Sequence, residues 1–204
     1  MSSENVLGVN RTEPVSIAVI GASGDLSLRK IYPALFSLYC QKLLPERFNV
    51  VGMARSTFTD AEFRDRIMRH LTCRYVPEER CDDHMRDFLA QCSSVSGPYD
   101  SGATYAALDR EMREIDDPAG GNRIYYMAIP PFLFLPVANT LSETGLTSCR
   151  PRDSWVRAVV EKPFGRDRAS SDSLAHGMGQ VFAEDQTYRI DHYLGKAVIQ
   201  NLMV

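Results

Sequence analysis

The sequence has no CxxC pair. Its 5 cysteines (Cys40, Cys73, Cys81, Cys92 and Cys149) are an odd set, and its 4 histidines do not fall at metal-ligand spacing from them. That excludes a readable zinc site and a secreted disulfide scaffold, and free thiols in a reducing compartment are the expectation. A surplus of positive charge is also missing. Lys+Arg total 23 against 26 Asp+Glu, a net charge of -3 with no basic block. Such a chain has nothing with which to grip a nucleic-acid backbone or an anionic membrane. The apolar runs, such as Ile124 to Ile129, are strand-sized, far short of the roughly 20 residues of a bilayer span. The opening segment MSSENVLGVNRTEP has neither a basic n-region nor an apolar h-region, and a cytoplasmic protein is expected. What is present is 204 residues, 44% of them hydrophobic, enough for one well-buried α/β domain and tight for two.

Residues 1–13 are polar and read as a mobile tail. Val15 to Ile20 is a β-branched run ending at Gly21, a first buried strand. A helical stretch from about Asp25 to Leu44, closed by Pro45, leads to a second strand, Phe48 to Ala54, completing a βαβ unit. Thr59 and Glu62 stand at capping-box spacing before Phe63, Ile67 and Leu71. Helices are predicted at Glu78 to Gln91, Thr104 to Ile115, Phe132 to Thr144 and Ser170 to Phe182. Strands are predicted at Ser93 to Gly97, Arg123 to Ile129 and Trp155 to Val160, and Asp185 to Tyr193 reads as extended or looped. The last run, Ala197 to Val204, has no stop signal and reads as a helix cut through, so a fragment is expected. Strands alternating with helices, most strands apolar throughout, predict an α/β, doubly wound, mostly parallel sheet with helices on both faces.

Three segments carry the chemistry. Gly21-Ala22-Ser23-Gly24-Asp25-Leu26 lies where the first strand turns into the first helix. There a pyrophosphate finds backbone N–H donors and a helix N-terminus, and glycines let it approach. Two glycines three apart also suit a plain strand-to-helix turn. Ser23 and Leu26 replace the second and third glycines of the usual pattern, and Asp25 is placed to favour the helix dipole. At the end of the second strand, where an NAD site carries an acidic residue, stand Ala54-Arg55-Ser56-Thr57. An arginine there suits a 2′-phosphate and so NADP, or is a solvated surface residue.

The second segment, Glu161-Lys162-Pro163-Phe164-Gly165, follows a later strand on the ligand-binding edge of the sheet. A turn at a cis Pro163 would aim Lys162 at a sugar hydroxyl or the reacting carbon; a surface turn is the plainer alternative. The third, Arg189-Ile190-Asp191-His192-Tyr193-Leu194-Gly195-Lys196, gathers an acid, an imidazole, a phenol and an ammonium before a helix. That set suits a phosphate ester and its sugar.

GASGDLSLRKIYPALF, EKPFGRD and YRIDHYLGK, in this order, resemble the glucose-6-phosphate dehydrogenase family from about Val15 to Val204. The resemblance implies a Rossmann-type coenzyme domain over 14–204 and oxidation of glucose 6-phosphate at C1 to 6-phosphogluconolactone with NADP, the first step of the pentose phosphate pathway. It implies that Gly21, Ala22, Ser23, Gly24, Asp25 and Leu26 cradle the pyrophosphate, Arg55 reads the 2′-phosphate and Lys162 touches cofactor and sugar. His192 and Tyr193 would hold the substrate phosphate, Lys196 would hold substrate, and Asp191 would orient a general base. That base is a histidine of a second domain beyond Val204. A homo-oligomeric full-length form is implied, with no metal, nucleic acid or membrane. Ala197 departs from the family's usual Glu, and Phe134 stands where some relatives carry Tyr. A non-catalytic NADP-binding fragment and a sugar dehydrogenase of the glucose-fructose-oxidoreductase kind are the rival readings.

Overall fold

In the computed structural model, which describes residues 13–73, 77, 80–116, 120–148, 154–162, 164–165 and 167–190, the first β-branched run is buried at every position and forms β1 (Val15–Ile20). β2 (Phe48–Ala54), equally buried, lies parallel on one side of it, and β4 (Asn122–Met127) lies parallel on the other. β3 (Cys92–Ser96), β5 (Val156–Glu161) and β6 (Thr187–Ile190) complete a six-stranded sheet of order β3-β2-β1-β4-β5-β6, every pairing parallel. Such a sheet needs helical crossovers and cover on both faces. They are α1 (Tyr32–Cys40), α2 (Asp60–Met68), α3 (Cys81–Ala90), α4 (Gly102–Arg113), α5 (Phe134–Glu143) and α6 (Arg168–Val181).

Because successive strand residues point to opposite faces, β1 feeds two cores. Ile17 and Val19 join Tyr32, Phe36, Phe63, Ile67 and Phe88 on one face. Ala18 and Ile20 join Tyr105, Leu108, Phe134, Val137 and Leu141 on the other. The Thr59–Glu62 capping box opens α2 as predicted. Leu71 is buried but lies beyond that helix's end at Met68.

The first helix differs from its predicted span. Its second turn is π-helical over Ser27–Ile31, with the Tyr32 amide donating to the Ser27 carbonyl. Pro33 has no N–H for the Arg29 carbonyl, and the wider turn absorbs that vacancy. The α-helix then stops at Cys40, not at Leu44 before Pro45. The Leu43 amide donates to the Leu38 carbonyl (2.8 Å) and the Lys42 amide to the Tyr39 carbonyl (2.9 Å), a Schellman end with Lys42 at φ 56°. α5 ends in the same motif with the favoured residue, Gly145 at φ 74°. Glu13 accepts a hydrogen bond from the Asn122 amide (3.0 Å), and 1–12, the rest of the predicted tail, lie outside the described residues. The predicted helix over Ala197 to Val204 lies outside them as well.

The free-thiol expectation holds for Cys40 and Cys92 and fails for Cys73 and Cys81, which form a disulfide between the end of the α2 segment and the start of α3. Cys149 lies outside the described residues. The two residues are 8 apart in sequence, a spacing with no CxxC signature, and only the fold brings their Cα atoms to 5.8 Å. Closing so short a loop stabilises by about 2–3 kcal/mol in the chain-entropy description. A reductant should therefore lower the thermal midpoint by several degrees. A Cys73→Ser variant should show the same lowered midpoint with or without reductant, and a wild-type midpoint that ignores reductant would contradict this.

At the amino-terminal edge of the sheet, Arg123 is buried and pairs with Asp116 (2.5 Å). Arg123 also donates to the Ser16 hydroxyl (3.4 Å), which itself donates to the Met112 carbonyl (2.7 Å). A buried charge needs such partners. They join α4 to β1 and β4, at the end of the strands opposite the candidate site.

Candidate dinucleotide site

In a parallel sheet all strands end at one edge, and here β1, β2, β3, β4 and β5 deliver Gly21, Arg55, Gly97, Ala128 and Lys162 to it, with β6 ending there at Ile190. Ligands of open α/β sheets bind at that edge.

Gly21 is the hinge of the first turn. At φ +93° it occupies backbone space that side chains disfavour. A Cβ there would run into the Ala128 carbonyl oxygen and lie 2.8 Å from the Ile129 side chain. Its amide and that of Ala22 donate to the Met53 carbonyl (2.9 and 3.1 Å), tying the turn to β2. Its carbonyl accepts from the Gly24 amide (3.0 Å) and the Ser27 hydroxyl (2.9 Å). The segment Gly21 to Leu26 is thus folded into the start of a helix, with Gly24 and Asp25 exposed and Ser23 and Leu26 half-buried. Asp25 pairs with Arg29 at 3.5 Å on the outer face, an exposed pair of small energetic weight. Its side chain serves the helix, while its backbone belongs to the turn.

Arg55 follows β2 directly and is exposed, with its guanidinium carbon 5.9 Å from the centre of the Tyr99 ring. Gly97 donates to the Ala54 carbonyl (2.9 Å) and the Tyr105 hydroxyl to the Tyr99 carbonyl (2.9 Å), which fixes the segment bearing Tyr99 beside β2. Burial pushes the Tyr99 phenol above its ordinary pKa, against the nearby Arg55 charge, so the ring faces Arg55 as neutral phenol. Between this pair and the glycine turn lies a cavity of about 290 Å³, lined by Gly21, Ser23, Gly24, Arg55, Tyr99 and Phe132 among others. Tyr99 and Phe132 had no sequence signal of their own. Tyr99 comes into view only once β3 is known to pair with β2.

Lys162 is the first residue past β5. Its amide donates to the Ile190 carbonyl (3.2 Å), and its side chain is exposed. The preceding Glu161 accepts a 2.5 Å hydrogen bond from the Tyr126 hydroxyl across the β4–β5 ladder. Burial first, then this bond and the Glu161 charge, hold the Tyr126 phenol well above its usual pKa. It stays a proton donor and anchors the residue from which Lys162 projects. Arg189 on β6 is engaged with Glu184 (2.5 and 3.0 Å). Asp191, His192, Tyr193, Lys196 and Pro163 lie outside the described residues. Among the described residues no group of three or more His, Cys, Asp or Glu side chains is arranged for a metal, and no helix is long and apolar enough to cross a membrane.

The donor set fits a phosphorylated dinucleotide. A glycine turn whose cradle a Cβ would fill leads into a helix start, and the next strand ends in a cation and lacks the carboxylate that a free ribose 2′-hydroxyl would bind.

Known proteins of one family match this chain. The family described as glucose-6-phosphate dehydrogenase, NAD binding domain, matches residues 18–201. A chloroplastic glucose-6-phosphate 1-dehydrogenase of Nicotiana tabacum is 46% identical over 190 residues, 93% of this chain and 31% of the relative. A cytoplasmic one of Arabidopsis thaliana is 39% identical, over 96% of this chain and 39% of the relative. A solved glucose-6-phosphate dehydrogenase in complex with its substrate glucose-6-phosphate superimposes with a TM-score of 0.80 at 36% identity, covering 93% of this chain and 39% of that one. The Mycobacterium avium enzyme gives 0.73 at 26% identity, covering 90% and 37%. The chain thus spans about a third of the length of the curated relatives it matches. It belongs to the glucose-6-phosphate dehydrogenase family through this domain.

Proposed function

We propose that this chain is the NADP-binding part, 14–204, of an enzyme that oxidises glucose 6-phosphate at C1 to 6-phosphogluconolactone, opening the pentose phosphate pathway. The observation that carries the reading is Arg55 at the end of β2, facing the cavity behind the glycine turn. A guanidinium there makes charge-assisted, bidentate bonds to a 2′-phosphate.

NADP supplies the hydride acceptor when bound. The turn Gly21 to Leu26 receives its pyrophosphate at the helix start, through backbone N–H groups other than those of Gly21, Ala22 and Gly24, which the Met53 and Gly21 carbonyls already hold. Arg55 takes the 2′-phosphate, and the Tyr99 ring, set opposite, offers a face for the adenine. Lys162 reaches from the edge of β5 to hold the sugar hydroxyl and the cofactor in register. His192, Tyr193 and Lys196 are proposed to hold the phosphate ester of the substrate. Asp191 is proposed to orient a histidine base in the part of the enzyme beyond Val204. The base takes the C1-hydroxyl proton while hydride leaves C1 with its electron pair, closing the lactone carbonyl. The full-length enzyme is proposed to be a homo-oligomer. A cytoplasmic place is proposed from the lack of a secretory signal in the opening segment; among the relatives some are named chloroplastic and one cytoplasmic. The Cys73–Cys81 bond removes its free-thiol support.

Arg55→Ala should weaken NADP by roughly 1.5–3 kcal/mol, the loss of a charge-assisted contact, and leave NAD almost untouched. Calorimetric titration of this chain with both dinucleotides measures it. Equal losses for the two would remove Arg55 from the 2′-phosphate and with it the preference for NADP.

A further inference from the structure

Phe132 stands out among the large apolar side chains. It is 76% exposed, whereas Leu38, Leu43, Met68 and Tyr188, the other exposed ones described, lie between 37% and 46%. Single exposed hydrophobics need no explanation in general; the place and the rigidity of this one do. It is the middle residue of a 3-10 turn, Pro131–Leu133, that follows β4. Pro130 and Pro131 limit the backbone on its entry side, and the Leu133 amide donates to the Pro130 carbonyl (2.9 Å). On the exit side Phe134 is fully buried at the start of α5. The ring is therefore presented outward by a stiff turn with both ends anchored.

Two cavities meet at this ring. One is the dinucleotide cavity, where Phe132 shares the lining with Gly21, Gly24 and Arg55. The other, about 540 Å³ and largely apolar, lies between α5 and α6 against Leu135, Phe164 and Leu174. Phe132 is the partition between them. A molecule seated on the glycine turn and reaching Arg55 must occupy the first cavity, where Phe132 and its apolar neighbours form a wall, across from the Tyr99 ring, that it can cover at little polar cost.

We infer that Phe132 is a cofactor-contacting residue: its ring is the apolar wall on which the bound dinucleotide rests, and binding covers the ring that the free chain exposes. This rests on the NADP reading and adds to it a contact outside the phosphate-binding groups. Because the ring is 76% exposed among the described residues, truncating it costs the free chain little stability. The effect appears in affinity alone.

The test is calorimetric titration of this chain with NADP for wild type, Phe132→Ala, Phe132→Leu and Met68→Ala. Met68→Ala is the truncation of an exposed apolar residue on α2, away from the cavity. Phe132→Ala should raise the Kd roughly tenfold, the order expected when partial burial of one aromatic side chain is lost. Phe132→Leu should recover most of that affinity, and Met68→Ala should bind as wild type. Thermal midpoints of all four should agree within about 2 °C, which separates affinity from folding. Phe132→Ala binding NADP as tightly as wild type overturns the inference while leaving the cofactor reading standing. A wild-type chain that fails to bind NADP overturns both.

Discussion

Lys162→Ala, in a chain that carries both this domain and the substrate half, should lower kcat/KM for glucose 6-phosphate by at least roughly 100-fold, with NADP affinity nearly unchanged. The reason lies in how residue 162 is held. Its amide is tied to the Ile190 carbonyl, and Glu161 beside it is tied to Tyr126, so the backbone under the ammonium is fixed on both sides while the side chain stays exposed. A charged group on a fixed base can hold two reactants in a near-attack arrangement. Removing it costs orientation, which appears in turnover more than in dinucleotide binding. Lys162→Arg should recover little, because a planar guanidinium does not replace a compact ammonium. Steady-state kinetics beside calorimetric NADP titration decides the matter: turnover within a few-fold of wild type makes Lys162 a surface residue.

The other large effect is on folding. Gly21→Ala should destabilise the chain by about 3–5 kcal/mol, combining a left-handed backbone no longer free to glycine with an overpacked contact. The atoms that a methyl would meet, the Ala128 carbonyl and the Ile129 branch, belong to the exit of β4 and are not the flexible end of a long side chain. Relief would require moving β4 relative to β1, along which the two strands pair residue for residue. Gly24→Ala is the comparison. Its added methyl meets only the Gly21 carbonyl oxygen at 3.2 Å, and the cost should stay within about 1 kcal/mol. Urea unfolding of the two variants measures the difference; similar midpoints would contradict the steric account.

The parts of this fold that were legible in the sequence are those written in a local pattern. Val15–Ile20 and Phe48–Ala54 are apolar at nearly every position because both faces of a central parallel strand are covered. Thr59 with Glu62 is a cap that a reader can see three residues apart. The end of the first helix was not legible, because a Schellman turn with lysine at the left-handed position leaves no glycine to read, and Pro45 is a louder but later signal. Nor was the Cys73–Cys81 bond, which depends on where α2 and α3 set their ends. The candidate site divides the same way. Gly21 to Leu26, Arg55 and Lys162 were found from position relative to a strand end, a rule that follows from the sheet being parallel. Tyr99, Phe132 and the Tyr126–Glu161 bond were not, since each meets its neighbours across strands or turns far apart in the chain.

The strand order has a consequence for the protein while it is being made. Every buried member of the core that holds Phe36 and Phe88 lies between Val15 and Cys92, whereas the opposite core needs residues as late as Phe182. At about 5–20 residues per second, a ribosome goes from Cys92 to the end of β4 at Met127 in roughly 2–7 s. During that interval β1 has β2 beside it but not yet β4, so the strand destined for the middle of the sheet is an open edge, with Ala18 and Ile20 uncovered on one side. An unpaired apolar edge invites pairing with other chains. The nascent chain is therefore most exposed to misassembly after its first half has folded and before Asn122–Met127 has emerged to take its place.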